Sequence, residues 1–194
     1  MKKEIIGWLK AGKIGVMPTD TMYGILCSAF NKKSIERIYK IRKRNNKKPL
    51  IILIDNVERL KDFGIENIPL KILNKIWPDK ITVILPSLYK KFAYLHRGTK
   101  KLGFRLSKDR ALCVLINKVG PLVAPSANIE GQPPATNITE AKKYFGDNVD
   151  FYFGTKRMPV TPSTIIEVKK GEKVVLIREG AVKQSGKKLK SLLQ

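Results

Sequence analysis

Apolar residues recur along nearly the whole chain, either at helical spacing or in short continuous runs, and turn-forming residues separate these segments. Ile5, Trp8 and Leu9 share one helical face, whereas Leu50–Ile54 is continuously apolar, as is typical of a buried strand. The spacing predicts helices over residues 4–10, 57–62, 70–76, 108–118 and 139–145, with a further helix capped by Ser34 that carries apolar residues to Ile41. It predicts strands over residues 14–17, 50–54, 81–85, 102–106, 122–124, 151–153, 163–168 and 173–177.

The predicted helices and strands alternate along the chain without a repeat or a change of composition. The last two strands are separated only by a short turn containing Lys170-Gly171, which indicates an antiparallel hairpin. We therefore expect an α/β fold with a mixed parallel and antiparallel sheet flanked by helices. A single domain is predicted over residues 1–182, followed by a short basic tail over residues 183–194.

Charge adds a functional clue to this pattern. The 194 residues include 39 Lys and Arg against 16 Asp and Glu, which gives a net charge of +23. Such an excess favours an anionic partner, such as a nucleic acid or a nucleotide, although the lysine-rich composition is also what AT-rich coding would produce. The segment from Arg37 to Lys48 is more specific, because it contains seven basic residues and no acid. We interpret it as a phosphate site.

Several other classes of protein are excluded. The longest aliphatic run is far shorter than a membrane span and the amino terminus lacks an apolar signal core, so we expect a cytoplasmic protein without membrane insertion. Cys27 and Cys113 are far apart in sequence and His96 is the single histidine, which argues against a disulfide framework, a zinc site or a Cys/His hydrolase. The two cysteines are expected in the core and His96 on the surface of a basic linker.

Three segments that follow predicted strands are rich in small hydroxyl and amide side chains. They are Pro18–Gly24, Ala124–Asn128 and Val160–Thr164. Ligands of α/β proteins bind at loops of this kind, and hydroxyls with backbone N–H groups suit phosphate or carboxylate oxygens. Each segment taken alone is better explained as an ordinary turn, because Pro, Ser, Asn and Thr are the residues that turns use.

In combination, these segments resemble a known family. The collinear matches are Met17–Gly24, Arg42–Arg44 with Pro49–Ile51, Trp77-Pro78, Gly103–Arg105, Ala124–Asn128, Pro162–Ile166 and Leu176–Arg178. They are similar to the YrdC-like threonylcarbamoyl-AMP synthases in their short, single-domain form. The resemblance covers about Ile14 to Gly180 and implies a YrdC-like twisted sheet with a basic concave cleft.

The resemblance implies a reaction and its participants. L-Threonine, bicarbonate or CO2, and ATP with Mg2+ held mainly by the phosphates, would give threonylcarbamoyl-AMP and pyrophosphate. A downstream tRNA threonylcarbamoyl transferase complex would use the product to modify adenosine 37 of ANN-decoding tRNAs, and this chain would itself bind tRNA weakly through charge. A related possibility is a YciO-like protein of the same fold that binds nucleotide or RNA without this synthesis.

The resemblance also implies roles for individual residues. The expected ATP-binding residues are Arg42, Arg44, Lys101, Ser126, Asn128, Pro134 and Arg178, of which Arg42, Arg44, Ser126 and Asn128 are expected to be catalytic. The expected threonine-binding residues are Thr21, Tyr23, Arg105, Ala124 and Ser163, and no residue is expected to bind a metal. The chain departs from the family pattern at Arg42, where relatives have Lys, at Asp79-Lys80 and at Pro162.

Overall fold

The computed structural model describes residues 3–193, in which nine strands form one sheet in the order β7-β1-β2-β6-β3-β5-β4-β8-β9. The strands are β1 (Gly15–Pro18), β2 (Tyr23–Ser28), β3 (Ile51–Ile54), β4 (Ile81–Pro86), β5 (Lys101–Leu106), β6 (Leu122–Val123), β7 (Phe151–Tyr152), β8 (Thr164–Val168) and β9 (Val174–Arg178). The helices are α1 (Lys3–Lys10), α2 (Lys32–Ile41), α3 (Leu70–Ile76), α4 (Ala93–His96), α5 (Arg110–Val119), α6 (Ile138–Phe145) and α7 (Lys187–Lys190).

The sheet is mixed, as the sequence predicts. β3 pairs in parallel with β5, β4 with β8, and β1 with β7, whereas the remaining neighbours are antiparallel. β8 and β9 form the expected hairpin across a short 3-10 turn at Lys170–Glu172. The predicted fold class is therefore confirmed.

Helices cover both faces of the sheet, and β3 shows how its residues are divided between them. Ile52 and Ile54 pack into the larger core with α2, α3 and α6, while Leu53 packs into a second core with α1 and α5. Because both faces of β3 are buried, every position along it is apolar, which explains the continuous run. Within residues 3–193, none of the helices is both long and apolar enough to cross a membrane.

One strand was not predicted. The sequence interpretation of Pro18–Gly24 as a single loop is wrong, because the chain reverses tightly between Pro18 and Tyr23 and continues at once as β2. β2 is buried along nearly its whole length, so it shows no alternation of polar and apolar residues. β1 ends at Pro18, one residue beyond the strand predicted over residues 14–17.

Some local predictions also need correction. Asn31, and not Ser34, caps α2: its side chain accepts from the Ser34 N–H, while the Ser34 hydroxyl donates to the Gly12 carbonyl. The helix expected over residues 57–62 is a 3-10 helix (Val57–Phe63) that ends at Gly64 in the left-handed conformation. The expectation that His96 lies on the surface is wrong: the residue is buried, and its Nδ1 accepts from the Gly98 N–H.

The carboxyl-terminal segment returns to the core. Leu189 in α7 is fully buried, and Lys188 donates to Asp79 Oδ2 over 2.6 Å. The expected basic tail therefore contacts the body of the protein through Lys188, Leu189, Leu192 and Leu193. Met1, Lys2 and Gln194 lie outside the described residues. Cys27 is buried as expected and Cys113 is half-buried.

Candidate functional site

A cleft of about 360 Å3 lies where the β1–β2 turn faces the segment after β6 and the ends of β5 and β9. It brings together residues from all three hydroxyl-rich segments and from the basic segment. Eight of the residues predicted to bind substrate line this cleft, namely Thr21, Tyr23, Arg44, Arg105, Ala124, Ser126, Pro134 and Arg178.

The β1–β2 turn is held by its own hydroxyl groups. Thr19 donates its hydroxyl to the Met22 carbonyl over 2.8 Å and its backbone N–H to the same oxygen over 3.0 Å. The Thr19 and Thr21 hydroxyl oxygens are 3.2 Å apart. The turn therefore fixes both threonine hydroxyls at the cleft before a ligand binds.

Arg105 enters the cleft from β5 with a counterion already in place. Its Nη2 donates to Asp20 Oδ1 over 2.8 Å and to the Thr21 hydroxyl over 3.3 Å, and the side chains of Arg105 and Asp20 are each only 4% exposed. Burial lowers the pKa of Arg105, and the charge of Asp20 opposes that shift. The pair is thus buried and hydrogen-bonded, but one nitrogen of Arg105, Nε, and one oxygen of Asp20, Oδ2, remain without a hydrogen-bond partner among the described residues.

The segment after β6 runs along β2, which places Ser126 at the cleft. Ile25 donates its N–H to the Pro125 carbonyl, Ala127 donates to the Tyr23 carbonyl, and Gly24 bridges to Ser126. A side chain at Gly24 would press on the Pro125 carbonyl at 3.3 Å, so glycine permits this close approach.

Arg42 points into the protein and holds this segment from behind. Its Nε donates to the Asn128 carbonyl over 3.0 Å, and its Nη2 donates to Asn128 Oδ1 over 3.1 Å and to the Ser126 hydroxyl over 3.3 Å. Burial, together with the nearby charge of Arg44, lowers the pKa of Arg42 to about 10, so it stays protonated at neutral pH. Neither Arg42 nor Asn128 lines the cleft.

Arg44, two residues further on, lies in the cleft lining. Its Nε donates to the Lys48 carbonyl and its Nη2 to the Pro49 carbonyl, each over 3.3 Å. These two contacts orient the guanidinium without neutralising its charge. Arg44 is therefore the member of the basic segment best placed to meet an anion.

Residues around β8 and β9 close the remaining side of the cleft. Arg178 donates to the Ser163 carbonyl over 2.9 Å, and the hydroxyl oxygens of Ser163 and Thr82 are 2.8 Å apart. Ser163 is buried and does not line the cleft, whereas its neighbour Pro162 does. Tyr23 donates its hydroxyl to the Lys156 carbonyl over 2.7 Å, which fixes the ring at the cleft.

Lys101 lies elsewhere. It is the first residue of β5 and lies four positions before Arg105, a span of about 13 Å along a strand. Its Nζ pairs with Glu167 over 2.7 Å. Among the residues described, Lys101 is not part of the cleft lining.

Sequence reasoning gave no role to two acids that the fold brings to this region. Asp20 lies in the first hydroxyl-rich segment, Pro18–Gly24, and it pairs with Arg105, which is 85 positions away in the sequence. Glu130 is the only charged residue between Pro125 and Asn137, a signal that was available in the sequence. It pairs with Lys48 of the basic segment over 2.8 Å.

Comparison with known proteins places the chain in a family. The Sua5_yciO_yrdC family model, described as telomere recombination, matches residues 7–180. The threonylcarbamoyl-AMP synthase of Photorhabdus laumondii is 28% identical over 92% of this chain and 95% of its own length.

Solved structures agree with this relationship. The crystal structure of P. abyssi Sua5 complexed with L-threonine superposes with a TM-score of 0.83 at 26% identity, over 92% of this chain and 54% of that one. This chain therefore spans about half the length of that Sua5 protein. E. coli YciO shares the fold, with a TM-score of 0.81 at 21% identity over 94% of this chain and 90% of its own. The chain belongs to the Sua5/YciO/YrdC family.

Proposed function

We propose that this protein is a threonylcarbamoyl-AMP synthase that condenses L-threonine, bicarbonate-derived CO2 and ATP, and releases pyrophosphate. The observation that carries the proposal is the single cleft in which hydroxyl-rich segments meet three arginines, Arg44, Arg105 and Arg178. A site for this reaction must hold a polyphosphate and an amino acid side by side. The names of the curated relatives support the same reaction class.

The ATP phosphates would bind beside Arg44 and Arg178, with the Ser126 hydroxyl as a neutral donor and Pro134 against the nucleotide. A guanidinium is always charged near neutral pH and matches phosphate oxygens in a two-pronged geometry. Arg42 and Asn128 would contribute by holding Ser126 in place. A direct role for Lys101 would require the nucleotide to reach beyond the cleft lining.

Threonine would bind on the other side of the cleft. Arg105 would meet its carboxylate, and Thr21, Tyr23 and Ala124 would surround its side chain, with Ser163 supporting the pocket from below. Part of the charge of Arg105 is already balanced by Asp20, so the substrate carboxylate would add to an existing ion pair and would not enter an uncompensated positive site.

The chemistry follows from this placement. The threonine amine would add to CO2 and lose a proton to give a carbamate, and a carbamate oxygen would then attack the α-phosphorus while pyrophosphate leaves. The protein's part is to hold the reactants together and stabilise the charge that develops on the phosphates. Magnesium would be held by phosphate oxygens, because the described cleft lining offers hydroxyls and guanidiniums but no carboxylate.

The product would pass in the cytoplasm to a tRNA threonylcarbamoyl transferase complex for modification of adenosine 37. Weak tRNA binding by this chain would rest on its net charge of +23. A salt titration separates the two activities: between about 50 and 200 mM salt, tRNA affinity should fall by orders of magnitude while synthesis in the cleft continues. A parallel loss of synthesis would contradict the assignment of the cleft to small molecules alone.

The decisive test is pyrophosphate release by the purified protein with ATP, magnesium, bicarbonate and L-threonine, together with mass spectrometry of the adduct. Release should require both threonine and bicarbonate. Serine lacks one methyl group, so its kcat/KM should be lower than that of threonine. The difference should correspond to roughly 1–3 kcal/mol of transition-state binding energy. Binding of ATP without an adduct, under conditions where a known synthase forms it, would instead favour the YciO-like alternative.

A further inference from the structure

Glu130 contacts both ends of the loop that carries Arg44. We call residues 42–49, which connect α2 to β3, the basic loop. The backbone N–H of Glu130 donates to the Arg42 carbonyl over 2.9 Å. Its carboxylate accepts from the Asn45 N–H over 2.6 Å and from Lys48 Nζ over 2.8 Å. One residue from a distant part of the chain thus holds the start, the middle and the end of the loop.

These contacts determine where Arg44 lies. Asn45 is its immediate neighbour, and Lys48 and Pro49 supply the two carbonyls to which the Arg44 guanidinium donates. The Tyr39 hydroxyl donates to the same Lys48 carbonyl over 2.9 Å. A shift of Lys48 would therefore move the two carbonyls that aim Arg44 into the cleft.

The charge and the backbone conformation of the basic loop are both unfavourable, so a contact with a carboxylate would stabilise it. It carries five Lys and Arg residues within seven positions, so its charges repel one another. Lys43 in addition adopts a positive φ of 49°, which is unfavourable for a residue with a side chain. Within residues 3–193, Glu130 provides the one carboxylate that is hydrogen-bonded to the loop. The hydrogen bonds from Lys48 and Asn45 hold the pKa of Glu130 below its usual range, so this carboxylate is ionised at neutral pH.

We propose that Glu130 is a positioning residue, which holds the basic loop so that Arg44 faces the nucleotide phosphates. The inference rests on the proposed function for the identity of the ligand. Glu130 does not belong to the cleft lining, so it would act through the loop and not by touching the substrate.

The sign of the effect on ATP affinity tests the proposal. Glu130→Gln removes a negative charge near the cleft, and simple charge attraction would then make ATP bind more tightly. The positioning role requires the opposite, a loss of ATP affinity of about tenfold for Glu130→Gln and more for Glu130→Ala. Calorimetric titration with ATP gives the affinity, and pyrophosphate release gives KM for ATP separately from kcat. Unchanged or tighter binding by both variants would overturn the proposal.

A double-mutant cycle with Arg44→Ala separates positioning from general destabilisation. If Glu130 acts through Arg44, Glu130→Ala should change ATP affinity less than twofold when Arg44 is already absent. Equal losses in the two backgrounds would contradict the proposal, even if Glu130→Ala also lowers Tm. Glu58→Gln is the matched control, because Glu58 is an exposed glutamate that pairs with Lys61 in a 3-10 helix outside the cleft. It should leave ATP affinity unchanged.

The same data distinguish the two claims. ATP binding by the wild-type protein without pyrophosphate release would contradict the proposed reaction and leave the affinity test of Glu130 in force. A wild-type protein that does not bind ATP would overturn both.

Discussion

The cleft beside Arg105 and a groove at the opposite end of β4 and β8 are both concave, but they are built from different side chains. The groove is the larger, with about 850 Å3 against about 360 Å3. Its lining is mainly apolar and includes Ile65, Leu85 and Val168. The smaller cleft combines hydroxyl groups with arginines that are held by carbonyls or by a buried carboxylate.

The two regions differ in the chemistry of their linings as well as in volume. The groove contains exposed apolar surface, with Leu88 75% exposed, and its charged residues Glu66, Lys169 and Glu172 are exposed to solvent. Burying an arginine and a carboxylate together is costly unless their geometry is well satisfied. The cleft retains such a pair and still leaves polar atoms unpaired, which is typical of a site that binds a polar ligand.

The largest expected effect comes from the buried pair of the cleft. Asp20→Ala leaves the Arg105 guanidinium buried without its counterion, which should cost about 3–5 kcal/mol of the free energy of unfolding. Chemical denaturation measures the loss. Asp20→Asn keeps a hydrogen-bond acceptor and should cost less. If Asp20→Ala is no more destabilising than a surface substitution, the pair is not structurally important.

Arg44 should give the largest catalytic effect with little loss of stability. Arg44→Ala removes a charge from the cleft lining and should lower kcat/KM for pyrophosphate release on the order of 100-fold. Lys47→Ala removes a similar charge from an exposed position in the same loop and should matter far less. Equal effects of the two substitutions would mean that the loop acts as a diffuse basic surface and not as a defined site.

The groove should give the smallest effect. Leu88→Ser replaces an exposed apolar residue, so the free energy of unfolding should change by no more than about 0.5 kcal/mol and pyrophosphate release should stay at the wild-type rate. A loss of activity comparable to that of Arg44→Ala would show that the groove takes part in the reaction and would remove the contrast between the two regions.

The sequence predicted most of the helices and strands because their burial is periodic or continuous. The continuous apolarity of Leu50–Ile54 identified β3, and the short turn at Lys170-Gly171 identified the β8–β9 hairpin. β2 was missed because it starts within a turn-like motif, directly after the reversal between Pro18 and Tyr23, so that no clear boundary marks its start.

The sequence by itself also identified three hydroxyl-rich segments, and residues of all three line one cleft. It could not determine the direction of individual side chains. Arg42 and Arg44 are two residues apart, yet Arg42 turns inward to Asn128 while Arg44 faces the cleft. Only the tertiary structure brought Asp20 to Arg105 and Glu130 to the basic loop, each across 85 positions of the chain. Such partners are chosen by sheet pairing and loop packing, because a buried charge needs a counterion or well-placed hydrogen-bond partners, and the fold brings these together from distant parts of the chain.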